Sequence, residues 1–429
     1  MTTEAGVEQF RWFLGIDWAT AAHQLTLIDQ NGEVVDERVV AHERAAIEAY
    51  LAWLERQLGG HFERLGVGIE VPRGAVVEIL LERGAAVFSI NPKQVDRLRD
   101  RISLAGAKDD RRDAWVIGTA LRTDRGLFRR IAAEDPRIIQ LRELARADED
   151  LMQEATRLTH RLREQVYRIA ANWLVLSPSA DDPWFWSLLE QAATPARARQ
   201  LRRRTIERLL RTHRIRRVSA DEVLAVLRAP TLPVADGALP AAARHIALLL
   251  PRLRLVAEQR RACAQEMETL LTALDQDGPT NGGISGETLR PSDVAIVRSV
   301  PGVGRMVAAT LLAEATASVA ARDYKALRAL GGSAPVTKQS GKHRTVSMRY
   351  ACNPRLREAY FHWARSSVLH DAAAKAYYAA LRARGHSHGR ALRSVADRWL
   401  RILTAMLMTG TLYDPKERRE PATLQPLPA

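Results

Sequence analysis

Cysteine is nearly missing from this 429-residue chain: Cys263 and Cys352 are its only two. Two distant cysteines make neither a disulfide framework nor a thiolate zinc site. Long apolar runs are missing as well. No segment approaches the roughly 18 uncharged apolar residues of a membrane span. The first residues, MTTEAGVEQFRW, carry acids and lack an apolar stretch, so they do not read as a secretory signal. These absences together point to a reducing, cytoplasmic interior and no membrane partner. Acidic charge is in short supply too: Lys and Arg number 64 against 50 Asp and Glu, a net charge of +14. Such a field favours a polyanionic partner without choosing between DNA and RNA. At this length one ordinary core is not enough, and two or three domains are expected.

Against that basic background, four acids near the N-terminus stand in unusual places. Asp17 follows the apolar run FLGI, Glu70 ends LGVGIE, and Asp110 and Asp113 lie three apart in AKDDRRDA. The intervening pattern gives three strands linked by hairpins (WFLGIDW, HQLTLIDQ before Asn31-Gly32, and EVVDERVV), then helix, strand, helix, strand, helix. A mixed sheet covered by helices fits that order. Asp17 and Glu70 would close the first and fourth strands, and sites in such sheets collect beyond the strands' carboxyl ends. Asp110 and Asp113, at i and i+3, share one face of a helix. Carboxylates gathered this way repel, and a divalent cation with hard oxygen ligands relieves the repulsion. Bland readings compete: a turn former for Asp17, a helix cap for Glu70, and salt-bridged surface groups for Asp110 and Asp113 among Lys108, Arg111 and Arg112. Spacing alone leaves Asp109 a rival to Asp110.

The middle of the chain reads as long helices. From Ile138 to Ala170, Leu141, Leu144, Leu151, Ala155, Leu158, Leu162 and Ile169 form a heptad-like stripe that Asp148 and Gln165 interrupt. A second long helix is expected over 252–274, with Cys263 in its buried stripe and a joint over 230–239 before it. A coiled coil with another copy and a hairpin within the chain are both open. Between these helices, ten arginines fall within 197–217, among them Arg202, Arg203, Arg204, Arg208, Arg211 and Arg214. A solvated charged face is the ordinary explanation, but phosphate-backbone contact is the preferred one. DQDGPTNGGISG, residues 275–286, marks a linker.

Beyond the linker, SVPGVGRMVAATLLAE reads as a helix-hairpin-helix. Gly302 and Gly304 would let the backbone turn tightly and approach a phosphate. Residues 331–350 are poor in large apolar side chains. Ser340 stands there among Lys338, Lys342, His343 and Arg344, whose charge suits a phosphate. A serine hydroxyl in such a place can attack phosphorus, though Ser333, Thr337 and Ser347 are alternatives. Three helical stretches follow, and a Pro- and charge-rich tail from Tyr413 is expected to be disordered.

FLGIDWA, GIE, AKDDRRDA, SVPGVG and QSGKHR, in that order, make the chain resemble the IS110 family of transposases over nearly its whole length. The resemblance implies an α/β RuvC-like (RNase H-like) domain over 10–130 with an Asp-Glu-Asp-Asp set at Asp17, Glu70, Asp110 and Asp113. It implies long coiled-coil helices over 138–275, a mostly α-helical C-terminal transposase domain over 290–412 with a helix-hairpin-helix-like segment, and a tail over 413–429. It implies that the acids bind Mg²⁺, with Mn²⁺ as a substitute, and that Ser340 forms a covalent link to DNA. Its implied partners are double-stranded DNA at element ends and target, an element-encoded non-coding RNA, and further copies of the chain, as a dimer assembling to a tetramer. Association with the bacterial nucleoid would follow from DNA binding. This sequence departs from the family's usual S-S-G-G by carrying Gln339 before Ser340 and Lys342 after Gly341. Two other readings keep parts of the pattern: a RuvC-like nuclease or junction resolvase using water as nucleophile, and a non-catalytic nucleic-acid binder.

Overall fold

A computed structural model describes residues 10–71, 74–102, 109–131, 135–276, 290–341 and 343–415. Lys108, Lys342, the helix start expected at Pro72, most of the linker and the tail beyond 415 lie outside the described residues. The chain divides into two compact units, Met1–Asp135 and Pro136–Ala429.

The first unit runs β1 (Trp12–Asp17), β2 (Ala22–Asp29), β3 (Val34–Ala41), α1 (Arg44–Leu58), β4 (Leu65–Ile69), α2 (Ala75–Glu82), β5 (Ala86–Ser89), α3 (Pro92–Ile102), α4 (Asp110–Asp124) and β6 (Arg129–Ile131). This is the expected order, with α3 and β6 added. The six strands form one mixed sheet, β3-β2-β1-β4-β5-β6. The hairpin-linked strands pair antiparallel, whereas β1, β4 and β5 are parallel. The strand sequences alternate to serve two cores. Leu14, Ile16, Leu25 and Leu27 pack with α1 and α2 on one face. Phe13 and Phe88 pack with Val95 of α3 and with Val116, Ile117, Ala120 and Leu121 of α4 on the other.

Glycines bring α4 unusually close to the sheet. A Cβ on Gly15 of β1 would stand 1.9 Å from the Ala114 carbonyl oxygen and 2.6 Å from the Gly118 nitrogen. One on Gly68 of β4 would stand 2.6 Å from Ile117 Cγ2. No side chain fits either gap, so the FLGID and LGVGI runs are as much helix-docking surfaces as strands.

The second unit continues with α5 (Pro136–Ala170), α6 (Pro183–Gln191), α7 (Pro195–Arg199), α8 (Arg203–Thr212), α9 (Ala220–Arg228), α10 (Ala238–Gln276), α11 (Asp293–Ser299), α12 (Arg305–Glu314), α13 (Thr316–Ala320), α14 (Tyr324–Leu330), β7 (Val336–Ser340), β8 (His343–Ser347), α15 (Pro354–His370), α16 (Ala372–Ala383) and α17 (His388–Thr409). Helices α5 and α10 pack antiparallel: Leu158, Leu162 and Val166 share a core with Ile246, Leu249 and Leu253, and Leu141 shares another with Met267 and Leu271. The heptad-like stripe is therefore largely consumed within the chain. Asp148, which breaks it, is 4% exposed and takes two bonds from Arg260, at 3.0 and 3.2 Å.

Four expectations change here. The joint expected over 230–239 is present as the connection over 230–237, but α10 already begins at Ala238 and carries Pro251 in its interior, where the helix was expected to start at 252. An interior proline costs about 3 kcal/mol, but buried Ala242, Ile246, Leu249 and Leu250 continue the apolar stripe through it. The SVPGVG turn does join two helices, α11 and α12. At φ 85°, however, Gly302 lies against α15, where a Cβ would meet Ser367 N at 2.6 Å. Its glycine serves helix packing, while Gly304 stays open. Around Ser340 the chain forms a β-hairpin, β7 pairing with β8, with Gly341 in the left-handed region at φ 55°. Tyr413 is ordered: its N–H donates to Ser299 Oγ at 2.9 Å, and its ring meets Trp399 edge-on.

Candidate active site

Strand register places the first two acids. β1 and β4 pair in parallel with Ile16 opposite Ile69, so Asp17 and Glu70 follow side by side at adjacent strand ends. Strands stand about 4.8 Å apart, and residues two apart share a face. Gly15 and Gly68 face α4, so Asp17 and Glu70 project toward α4 as well. α4 runs against the strand direction: Leu121 lies near Gly66, and Ile117 near Gly68. One further turn back along α4 reaches Asp113, and about two residues further along β4 reaches Glu70. Asp113 thus belongs at the level of the two strand-end acids.

Asp113 is 4% exposed, the only buried carboxylate among the described residues of the first unit. Arg99 of α3 holds Nη1 3.3 Å from Asp113 Oδ1. Asp110 begins α4 and is exposed, a turn away from the buried Asp113. Asp109 is the helix cap, with its side chain accepting the Arg111 N–H at 3.2 Å. That gives the rival of Asp110 a structural duty. Among the described residues no three His, Cys, Asp or Glu side chains come close enough to hold a metal ion. The donor chemistry suits a hard cation; the side chains as they stand do not close around one.

Beside Asp17 lies a cluster that sequence reasoning passed over. Trp18 stacks on His23 with ring centroids 4.1 Å apart, and His23 Nε2 lies 2.8 Å from His42 Nδ1. Burial, then the charge of His42, lowers the His23 pKa below the usual imidazole value. Only the alternation of His23 with Leu25 and Leu27 pointed to its burial.

Ser340 is the last residue of β7, paired with His343 across the turn. Directly opposed residues share a face of a hairpin. Ser340 and His343 therefore lie with Lys338 and Thr345, while Gln339 and Arg344 take the other face. From Thr337 to Gly341 and from His343 to Ser347 every residue is exposed.

Two family profiles match the chain, and together they span more than half of it. One, described as "Transposase" and specific to the DEDD type of IS110, matches residues 14–170. The other, "Transposase IS116/IS110/IS902 family", matches residues 294–379. The chain belongs to the IS110 family of transposases. The first match contains all four acids, the second the SVPGVG turn and Ser340. Among similar proteins, "Putative transposase y4uE" of Sinorhizobium fredii (strain NBRC 101917 / NGR234) is 44% identical over 218 residues, which are 51% of this chain and 61% of that protein. "Insertion element IS110 uncharacterized 43.6 kDa protein" of Streptomyces coelicolor is 29% identical over 96% of this chain and 97% of its own length. "Mini-circle putative transposase for IS117", of the same species, is 27% identical over 94% and 95%.

The basic residues of this IS110-family chain divide by what they already hold. Arg111 makes a two-point ion pair with Glu37 of β3, one contact at 2.6 Å. Arg112 is half-buried. Arg203 is shared between Glu207 at 2.8 Å and Asp221 at 3.1 Å. Arg202, Arg204, Arg208, Arg211 and Arg214 are exposed, without an acidic partner among the described residues. On α8, Ile206, Leu209 and Leu210 are buried, leaving Arg204, Arg208 and Arg211 as an outward stripe at i, i+4 and i+7. Lys338, His343 and Arg344 stand exposed on the hairpin. No helix is long and apolar enough to cross a membrane, among the described residues.

Proposed function

We propose that this chain cuts and rejoins DNA at the ends of an insertion element and at its target, through a transient serine–DNA link. The reading assigns catalysis to 10–130 and to 290–412, with 138–275 as the basic helical region between them and 413–429 as a tail. The observation that carries it is the parallel register that sets Asp17 beside Glu70, under α4 with its buried Asp113, inside the segment matched to the DEDD transposase profile.

Asp17, Glu70, Asp110 and Asp113 would hold Mg²⁺, or Mn²⁺ in its place. The bound ion would polarise the scissile phosphate and steady the leaving oxygen. Arg99, now the counter-charge of Asp113, would have to yield part of that role. Ser340 Oγ attacks phosphorus and loses its proton, one P–O bond of the strand breaks, and a serine phosphodiester and a free DNA hydroxyl result. A hydroxyl of the partner strand then attacks the same phosphorus, re-forms a DNA phosphodiester and returns the serine hydroxyl. Bonds are exchanged one for one, so no energy source is needed. Lys338, His343 and Arg344 on the exposed hairpin would hold phosphate charge, and the arginine stripe of α8 would hold nucleic-acid backbone. An element-encoded RNA and assembly as a dimer or tetramer belong to the same proposal. The α5 stripe lends assembly little support, because α10 largely covers it. The cytoplasm is the compartment this reading needs.

The test is a mixture of the protein, candidate element RNA, Mg²⁺ and labelled element-end DNA, denatured and resolved for a protein–DNA adduct. Ser340→Ala should abolish the adduct while binding persists, and Asp17→Asn should abolish cleavage. Cleavage with no adduct from the natural chain would instead favour a hydrolytic nuclease with water as nucleophile.

A further inference from the structure

The foot of the β7–β8 hairpin holds a group of arginines that the proposed chemistry leaves without a role. Arg357 of α15 donates Nη2 to the carbonyl oxygens of Arg349, at 3.0 Å, and Tyr350, at 2.9 Å. It thereby fixes the chain just after β8. Arg390 and Arg393 lie three apart in the first turns of α17, on one face. Phe361, one turn on from Arg357 in α15, meets His388 at the start of α17 with ring centroids 6.2 Å apart, which brings the two arginine pairs to neighbouring positions. Burial first, then the charges of Arg357 and Arg390, lower the Arg393 pKa. Nε of both Arg349 and Arg357 is buried without a hydrogen-bond partner.

Elsewhere in this unit, half-buried arginines are matched with acids. Arg328 meets Asp397 at 2.8 Å, Arg355 meets Glu149 at 2.8 Å, and Arg146 meets Glu314 at 2.8 Å. Arg349, Arg357, Arg390 and Arg393 have no such acid among the described residues. Arg349, Arg357 and Arg393 are half-buried and Arg390 is exposed beside them. Like charges gathered at half-buried positions oppose folding unless an anion offsets them. Beside them Tyr350 keeps 76% of its surface exposed, with an aromatic face open to stacking.

We propose that Arg357, Arg390 and Arg393 form a binding site for one backbone phosphate of the DNA that the hairpin engages, with Tyr350 stacking on a neighbouring base. The proposal rests on the reading that the hairpin meets DNA, and it adds where that DNA runs. A five-residue strand spans about 17 Å. At about 3.4 Å per base pair, the contacted phosphate lies roughly five base pairs from the one at Ser340. DNA is favoured over RNA because the site shares a continuous chain with the hairpin that carries Ser340.

The probe is a labelled 30-base-pair DNA duplex, with an RNA duplex of the same length beside it, titrated with the full chain by fluorescence anisotropy at several KCl concentrations. The Arg390→Gln/Arg393→Gln double variant should bind DNA about ten-fold more weakly and lower the salt slope by about one. RNA affinity should change less than two-fold. Arg393→Lys, which keeps the charge, should retain the salt slope. Unchanged DNA affinity and slope, in a double variant with the natural melting temperature, would overturn the site, as would a loss confined to RNA. The adduct assay separates this outcome from the nucleophile reading. If Ser340→Ala still forms the adduct while the double variant binds DNA weakly, the phosphate site stands and only the serine assignment fails.

Discussion

Asp113 keeps 4% of its surface, whereas Ser340 stands on a hairpin whose described residues are all exposed beyond half-buried Val336. The acid end of the sheet is positioned by a core: two parallel strands in fixed register, and a helix pressed onto glycines too close for any side chain. The hairpin has only its own ladder, and a two-stranded hairpin by itself is marginal in water. The backbone scaffold for one half of the proposed chemistry is thus fixed by packing, whereas the other half depends on what the hairpin touches. Charge follows the same division, with Arg111 and Arg99 bound to acids in the first unit.

The largest effect should come from the built half. Asp113→Asn preserves shape but removes charge, and should lower strand cleavage about a thousand-fold, on the order of 4 kcal/mol. A denaturing gel of labelled DNA over a Mg²⁺ titration checks this. Cleavage within ten-fold of the natural chain would remove Asp113 from the metal set.

Next comes Gly15→Ala, which removes no reacting group but alters the strand that carries Asp17. With a Cβ 1.9 Å from a backbone oxygen, α4 must lift, at a cost of about 3 kcal/mol or more. A fall of roughly 10 °C in the first unit's melting transition is expected by calorimetry, with cleavage lost alongside it. An unchanged transition would mean that α4 docks more loosely than its glycines imply.

The sheet was legible in the sequence because alternation, the Asn31-Gly32 turn and the apolar runs ending in Asp17 and Glu70 all agreed. What pattern could not supply was the third dimension. Nothing in FLGID says that Gly15 is a seat for Ala114, or that Arg99 would find Asp113. Pro251 misled because proline is normally a boundary, yet the stripe from Ala242 to Leu253 outweighs it. The hairpin was missed because QSGKHR has neither apolar alternation nor an Asn-Gly turn; only Gly341, at positive φ, marks it. Gly302 looked like a phosphate-facing turn, since a glycine packed on Ser367 and one open to solvent read alike in sequence.

A third comparison is between arginines with and without acids. Arg204→Gln, Arg208→Gln and Arg211→Gln combined should weaken duplex binding more than ten-fold near 0.15 M salt and lower the salt slope by about three, roughly 0.9 for each phosphate no longer neutralised. The melting temperature should not move, because these side chains are exposed. Arg203→Gln, whose charge is already shared by Glu207 and Asp221, should change the slope by less than one of the stripe arginines does. Equal effects at all four positions would mean a diffuse field rather than a stripe.

The smallest effect on folding should come at the hairpin turn. Gly341 sits at φ 55°, and a Cβ there would have nothing within 4 Å. Gly341→Ala therefore meets no clash and bears only the left-handed penalty of about 1 kcal/mol. That penalty falls on an element that buries almost nothing, so global unfolding should shift by less than about 1 °C. Local order should respond instead. Trypsin should cut at Lys338 or Arg344 several-fold faster in the variant than in the natural chain, and DNA should slow cutting in both. If the variant melts several degrees lower, the hairpin is packed into the fold rather than waiting for DNA, and the contrast with the acid end disappears.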